Sequence, residues 1–226
     1  MNREVEIASA LADIRSKIPE HVTLIVVTKT FPVTDVEILY RLGERDFGEN
    51  RDEEGLEKSS KLSNDAIWHF QGNIQSNKIR SIVSWADYIH SLDDLRHAGK
   101  IDSVASLIGK KQKVFIQINL DQRSENSSDS LIQVEGRSGI KPEEFDRFSD
   151  SLLEFSSVEV VGVMGVGPLG LDPSPGFELL QELSKALQVK RSEARYISAG
   201  MSGDFPIALR FGATHIRIGS SILGSR

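Results

Sequence analysis

Lys29 stands where a side-chain amine can act as a nucleophile. It ends the apolar stretch covering residues 21–28 and precedes Thr30-Phe31-Pro32, where proline lacks the amide that a strand ladder needs. The β-branched and aliphatic run at residues 22–27 has the pattern of a strand buried on both faces, as in parallel sheets. The carboxyl end of such a strand is where α/β folds keep their ligands. A lysine at a strand end is ordinarily just solvated. It becomes a Schiff-base nucleophile only where its pKa is lowered or its product is stabilised.

Two later segments have the composition of phosphate-holding loops. In Gly200-Met-Ser-Gly-Asp204 the glycines allow close backbone approach, Ser202 offers a hydroxyl, and Pro206 suits the first turn of a helix. Asp204 is expected to cap that helix. A capped turn with no ligand would use the same residues. Arg217-Ile-Gly-Ser-Ser221 adds backbone amides and a cation, although a strand arginine often serves only to pair with a carboxylate. An amine at one strand end and a phosphate grip at others suit a phosphorylated aldehyde held as a Schiff base. Asn50, in Phe47-Gly-Glu-Asn50, ends the next strand and can bond a phenolic oxygen or cap a helix beginning at Arg51. The five histidines include no pair at metal-ligand spacing, and His69 and His90 fall inside strand candidates as structural groups. Neither nucleotide-binding glycine motif is present.

The elements that position these residues alternate through the chain. Ile7, Leu11, Ile14 and Ile18 mark a first amphipathic helix. Strands are expected at residues 21–28, 45–48, 67–70, 87–90, 113–119, 158–164, 195–197 and 214–218, with helices between them. Repeated strand–helix order requires a parallel sheet with right-handed crossovers. About eight units within 226 residues predict one (β/α)8 barrel with an extra N-terminal helix, and a doubly wound open sheet is the competitor. The serine-rich stretch at 121–130 is expected to be a mobile loop on the ligand side.

Composition removes several function classes. A net charge of −6 argues against nucleic-acid and anionic-membrane partners, and the absence of cysteine excludes disulfides and thiolate metal sites. The charged start has no signal-peptide core and no run is long enough to span a bilayer, so a cytoplasmic location is expected.

Five motifs in order carry a resemblance: Val26-Val-Thr-Lys29-Thr, Phe47-Gly-Glu-Asn50, Trp68-His-Phe-Gln-Gly-Asn-Ile-Gln-Ser-Asn-Lys78, Ser198-Ala-Gly-Met-Ser-Gly-Asp204 and Arg217-Ile-Gly-Ser220. Over essentially its whole length, 1–226, the chain resembles the pyridoxal phosphate homeostasis proteins, relatives of the N-terminal barrel of alanine racemase. The resemblance implies that Lys29 forms a Schiff base with pyridoxal 5′-phosphate. It implies a phosphate grip at Met201, Ser202, Gly219 and Ser220 with Ser198 beside it, and Arg217 and Asn50 near the cofactor. It further implies a monomer that stores or supplies the cofactor, with apo forms of pyridoxal phosphate enzymes as partners. Barrel racemases and decarboxylases of this class add a β-rich domain carrying an opposing acid/base. The sequence ends after the second phosphate loop, so no C-terminal β domain and little turnover are expected. The rivals are an amino-acid racemase or decarboxylase-like enzyme and a phosphosugar lyase or aldolase using Lys29.

Overall fold

In the computed structural model, residues 2–121 and 138–224 are described. Eight parallel strands close on themselves in the order β1 to β8. They are β1 (Thr23–Val27), β2 (Asp46–Glu49), β3 (Ile67–Phe70), β4 (Tyr88–Leu92), β5 (Gln112–Ile118), β6 (Val158–Gly165), β7 (Tyr196–Ser198) and β8 (His215–Ile218). The register between β1 and β8, with Val26 opposite Ile218, completes the closure. An open doubly wound sheet is therefore excluded.

Helices follow every strand: α2 (Val33–Arg41), α3 (Asp52–Ser59), α4 (Ile79–Trp85), α5 (Leu95–Leu107), α6 (Phe145–Ser151), α7 (Ser174–Lys190), α8 (Phe205–Arg210) and α9 (Ser220–Leu223). The extra helix α1 (Arg3–Arg15) precedes β1 and buries Ile7, Leu11 and Ile14. Ile18 falls beyond its end. Arg3 holds α1 in place by donating to the Asp35 carboxylate on α2 at 2.6 Å and to the Leu223 carbonyl on α9 at 3.0 Å. Gly43, at φ 100°, ends α2 in the left-handed conformation that glycine adopts without a Cβ penalty.

The main apolar core lies between strands and helices, where each fully buried Leu, Ile or Phe contributes about 1.5–3 kcal/mol. The barrel interior is different. Such interiors are usually filled by branched aliphatic residues. Here Phe115, Val161 and Met164 share it with Tyr88, Tyr196 and the buried His69, His90 and His215. Of the stretch at 121–130, only Asp121 belongs to the described residues.

Candidate functional site

All eight strands run the same way, so residues at their carboxyl ends share one face. Lys29 follows β1, Asn50 follows β2, Gly200 to Ser202 follow β7, and Gly219 and Ser220 follow β8. Lys29 is exposed and has no hydrogen bond or ion pair among the described residues. It borders an open cavity of about 480 Å³ lined by Lys29, Thr30, Asn50, Arg51, Gln71, Gly72 and Asn73.

The backbone around Lys29 is held by a cluster that sequence reasoning missed. The Lys58 ammonium, on α3, donates to the Thr28 carbonyl at 2.8 Å and to Glu49 Oε1 at 2.6 Å. Thr28 Oγ1 donates to the same Glu49 oxygen at 2.5 Å. On the other side of Lys29, the Thr30 amide donates to Glu54 at 2.7 Å. Thr30 adopts φ 67°, a left-handed conformation that is costly for a β-branched residue and persists only where surroundings impose it. Glu49 and Lys58 are both buried. Burial raises the Glu49 pKa, while its bonds to Lys58 and Thr28 oppose the rise. The sequence signal was slight: Glu49 in a strand-end motif, and Lys58 in the charged helical stretch at 51–61.

Asn50 lines the cavity but does not cap α3. The cap position is Arg51, and the Asn50 backbone is pressed against Gly72 so closely that a Cβ there would fall 1.9 Å from the Asn50 carbonyl. Gln71 presents a buried Nε2 with no partner at the cavity wall.

The two glycine loops meet through Ser220 Oγ and Ser202 Oγ, 3.3 Å apart. A Cβ on Gly219 would sit 3.1 Å from the Val27 carbonyl, so this loop lies against the strand that carries Lys29. Gly200 has φ 92°. Asp204 occupies the cap position of α8 without capping it; its carboxylate instead accepts from the Met201 amide at 2.6 Å. The Met201 amide is therefore already engaged, whereas the amides of Ser202, Gly219 and Ser220 have no such acceptor among the described residues.

Ser198 and Arg217 lie deeper. The Ser198 hydroxyl is fully buried and accepts from Arg217 Nη1 at 2.6 Å; Arg217 Nη2 donates to the Gly165 carbonyl at 3.0 Å. Arg217 has no carboxylate in ion-pair contact among the described residues. Burial lowers its pKa to about 10, with the charge of Asp204 opposing the shift, so it remains a guanidinium at neutral pH. Among the described residues no group of three or more His, Asp or Glu is placed to hold a metal ion. No described helix is long and apolar enough to cross a membrane.

Residues 5–226 match the family model described as the alanine racemase N-terminal domain. Pyridoxal phosphate homeostasis proteins match at full length. That of Synechocystis sp. is 37% identical over 96% of this chain and 98% of its own, and that of Mycobacterium leprae 34% identical over 99% and 94%. This chain belongs to the pyridoxal phosphate homeostasis protein family. Among solved structures, PipY of Synechococcus elongatus with PLP bound superimposes with a TM-score of 0.83 at 32% identity, covering 96% of this chain and all of PipY. The alanine racemase of Corynebacterium glutamicum shares the fold, at TM-score 0.76, 13% identity and 97% of this chain against 60% of the racemase. For a member of the homeostasis family, a strand-end lysine and a buried guanidinium that have no ion-pair partner among the described residues, with two glycine loops on the same barrel face, fit an aromatic aldehyde bearing a phosphate.

Proposed function

We propose that this protein binds pyridoxal 5′-phosphate as a Schiff base on Lys29 and acts in cofactor storage and supply in the cytoplasm, with little or no turnover of its own. The observation that carries this reading is the Lys29 amine, without a partner among the described residues, on an open cavity and flanked by backbone held on both sides. Condensation of that amine with the aldehyde releases water, and the bond reverses when another amine or water attacks. Ser202, Gly219 and Ser220 hold the phosphate with hydroxyls and amides, joined by the Met201 amide if Asp204 releases it. Arg217 and Asn50 face the ring. When bound, the group supplies an aldehyde for amine exchange and an aromatic ring able to accept electrons.

A carrier role is supported by the lining of the cavity. Among the described residues it holds Lys29 and Arg51 as charged groups, with hydroxyl and amide side chains, but no imidazole, carboxylate or phenol to serve as an opposing acid/base. The recipients proposed are apo forms of pyridoxal phosphate enzymes, and the proposed working form is a single-domain monomer. The test incubates loaded protein with L- and D-amino acids, following chirality, keto-acid formation and transfer to an apo-enzyme. Transfer without turnover is expected. Turnover near the enzymic median of about 10 s⁻¹, abolished by Lys29→Ala, would instead identify an amino-acid enzyme.

A further inference from the structure

From Arg217 an unbroken line of polar contacts crosses the barrel interior towards the opposite mouth. Arg217 Nη1 lies 2.6 Å from Ser198 Oγ, and Ser198 Oγ lies 2.9 Å from His90 Nδ1. His90 Nε2 lies 2.9 Å from His69 Nδ1, and His69 Nε2 lies 3.0 Å from Asp46 Oδ1. The five residues come from β8, β7, β4, β3 and β2. Ser198, His90 and His69 are wholly buried, while Asp46 is the first residue of β2 and half-buried. Phe115 stacks on the His90 ring at 4.2 Å and Tyr88 on the His69 ring at 4.8 Å, which fixes both imidazole planes.

With a single proton on each imidazole, the two ends set the direction of every link. A guanidinium only donates, and an ionised carboxylate only accepts. Burial drives the His90 pKa well down, so its ring carries one proton. With one proton on His69 as well, Asp46 draws it to Nε2 and leaves Nδ1 as an acceptor. His90 must then donate from Nε2, and its Nδ1 accepts the Ser198 proton. Ser198 is left with lone pairs only for Arg217.

The geometry points to Asp46, His69, His90 and Ser198 as positioning residues that fix, through one ordered set of protons, the acceptor met by Arg217 Nη1. Each link orients the next, so an acceptor at Asp46 keeps the Ser198 lone pairs turned to Arg217 and holds the guanidinium in one orientation. The ligand that Arg217 faces rests on the pyridoxal phosphate reading; the chain itself does not.

The first test is nitrogen NMR of the imidazoles in ligand-free protein at pH 7. Both His69 and His90 should carry their proton on Nε2, and a His90 protonated on Nδ1 would overturn the proposal. The second compares Asp46→Ala with Asp46→Asn, whose amide oxygen can still accept. Asp46→Ala should give mixed His90 tautomers and raise the pyridoxal phosphate Kd about tenfold, as loss of one charge-assisted interaction would. Asp46→Asn should keep the Nε2 tautomer and stay within about threefold of the wild-type Kd. Wild-type tautomers and affinity in Asp46→Ala would also overturn it. Failure of the wild type to take up pyridoxal phosphate would sink the functional reading, while Nε2 protons on both rings would still uphold the chain.

Discussion

Ser202 joins the two glycine loops through Ser220, and its hydroxyl is expected to meet the phosphate rather than the ring. A hydrogen bond to a charged group contributes about 1.5–3 kcal/mol, so Ser202→Ala should raise the pyridoxal phosphate Kd roughly ten- to a hundredfold. Titration with unphosphorylated pyridoxal should show little change, and equal losses for both ligands would move the phosphate elsewhere. His215 tests the barrel interior in a different way. Burial, then the charge of His69, lowers its pKa from 6.5 to about 3. The unfolded chain takes up this proton near pH 6.5 and the native state does not, so the stability it contributes is present above that pH and lost as pH falls towards 3. Between pH 7 and 4.5 the loss should be about 2–3 kcal/mol from this group, with His90 acting in the same direction. Urea midpoints at the two pH values should differ less in His215→Gln than in the wild type.

The turn between β1 and α2 shows how elements, rather than single residues, present Lys29. Lys58 on α3 reaches back to the Thr28 carbonyl and to Glu49 at the end of β2, so three elements converge on one ammonium. Removing one member of a buried pair strands the other charge, and Lys58→Met should therefore cost about 3–5 kcal/mol in urea unfolding. Replacing both, as in Lys58→Met with Glu49→Leu, should recover much of that loss; a double variant as unstable as the single one would show that the pair is not the source. The sequence made the strands legible because runs such as Val158-Glu-Val-Val-Gly-Val-Met164 are apolar on both faces. It placed all eight to within a few residues, along with α1. It did not reveal α9, whose four residues Ser220–Leu223 are too few to show a helical period. Nor did it reveal the Lys58 cluster or the line from Arg217 to Asp46, because their members lie far apart in sequence and only barrel closure brings them together. His69 and His90 were legible as buried groups, but not as partners of each other.

At the scale of the whole molecule, one closed barrel does two jobs. Its outer layer supplies the apolar core, and its strand ends gather Lys29, Asn50, the two glycine loops and the Arg217 guanidinium on one face. The interior supports that face with imidazoles set among aromatic and aliphatic side chains. Helix α1 ties α9 to α2 through Arg3, beside the β1–β8 pairing that closes the barrel next to Lys29. The central claim is that Lys29 alone among the lysines bonds the cofactor. It is tested most directly by loading the protein with pyridoxal 5′-phosphate, reducing with borohydride, and mapping the added mass by peptide mass spectrometry. The account predicts one labelled site, Lys29, and no stable label in Lys29→Ala. Label on another lysine with Lys29 unmodified, or equal labelling of Lys29→Ala, would contradict it.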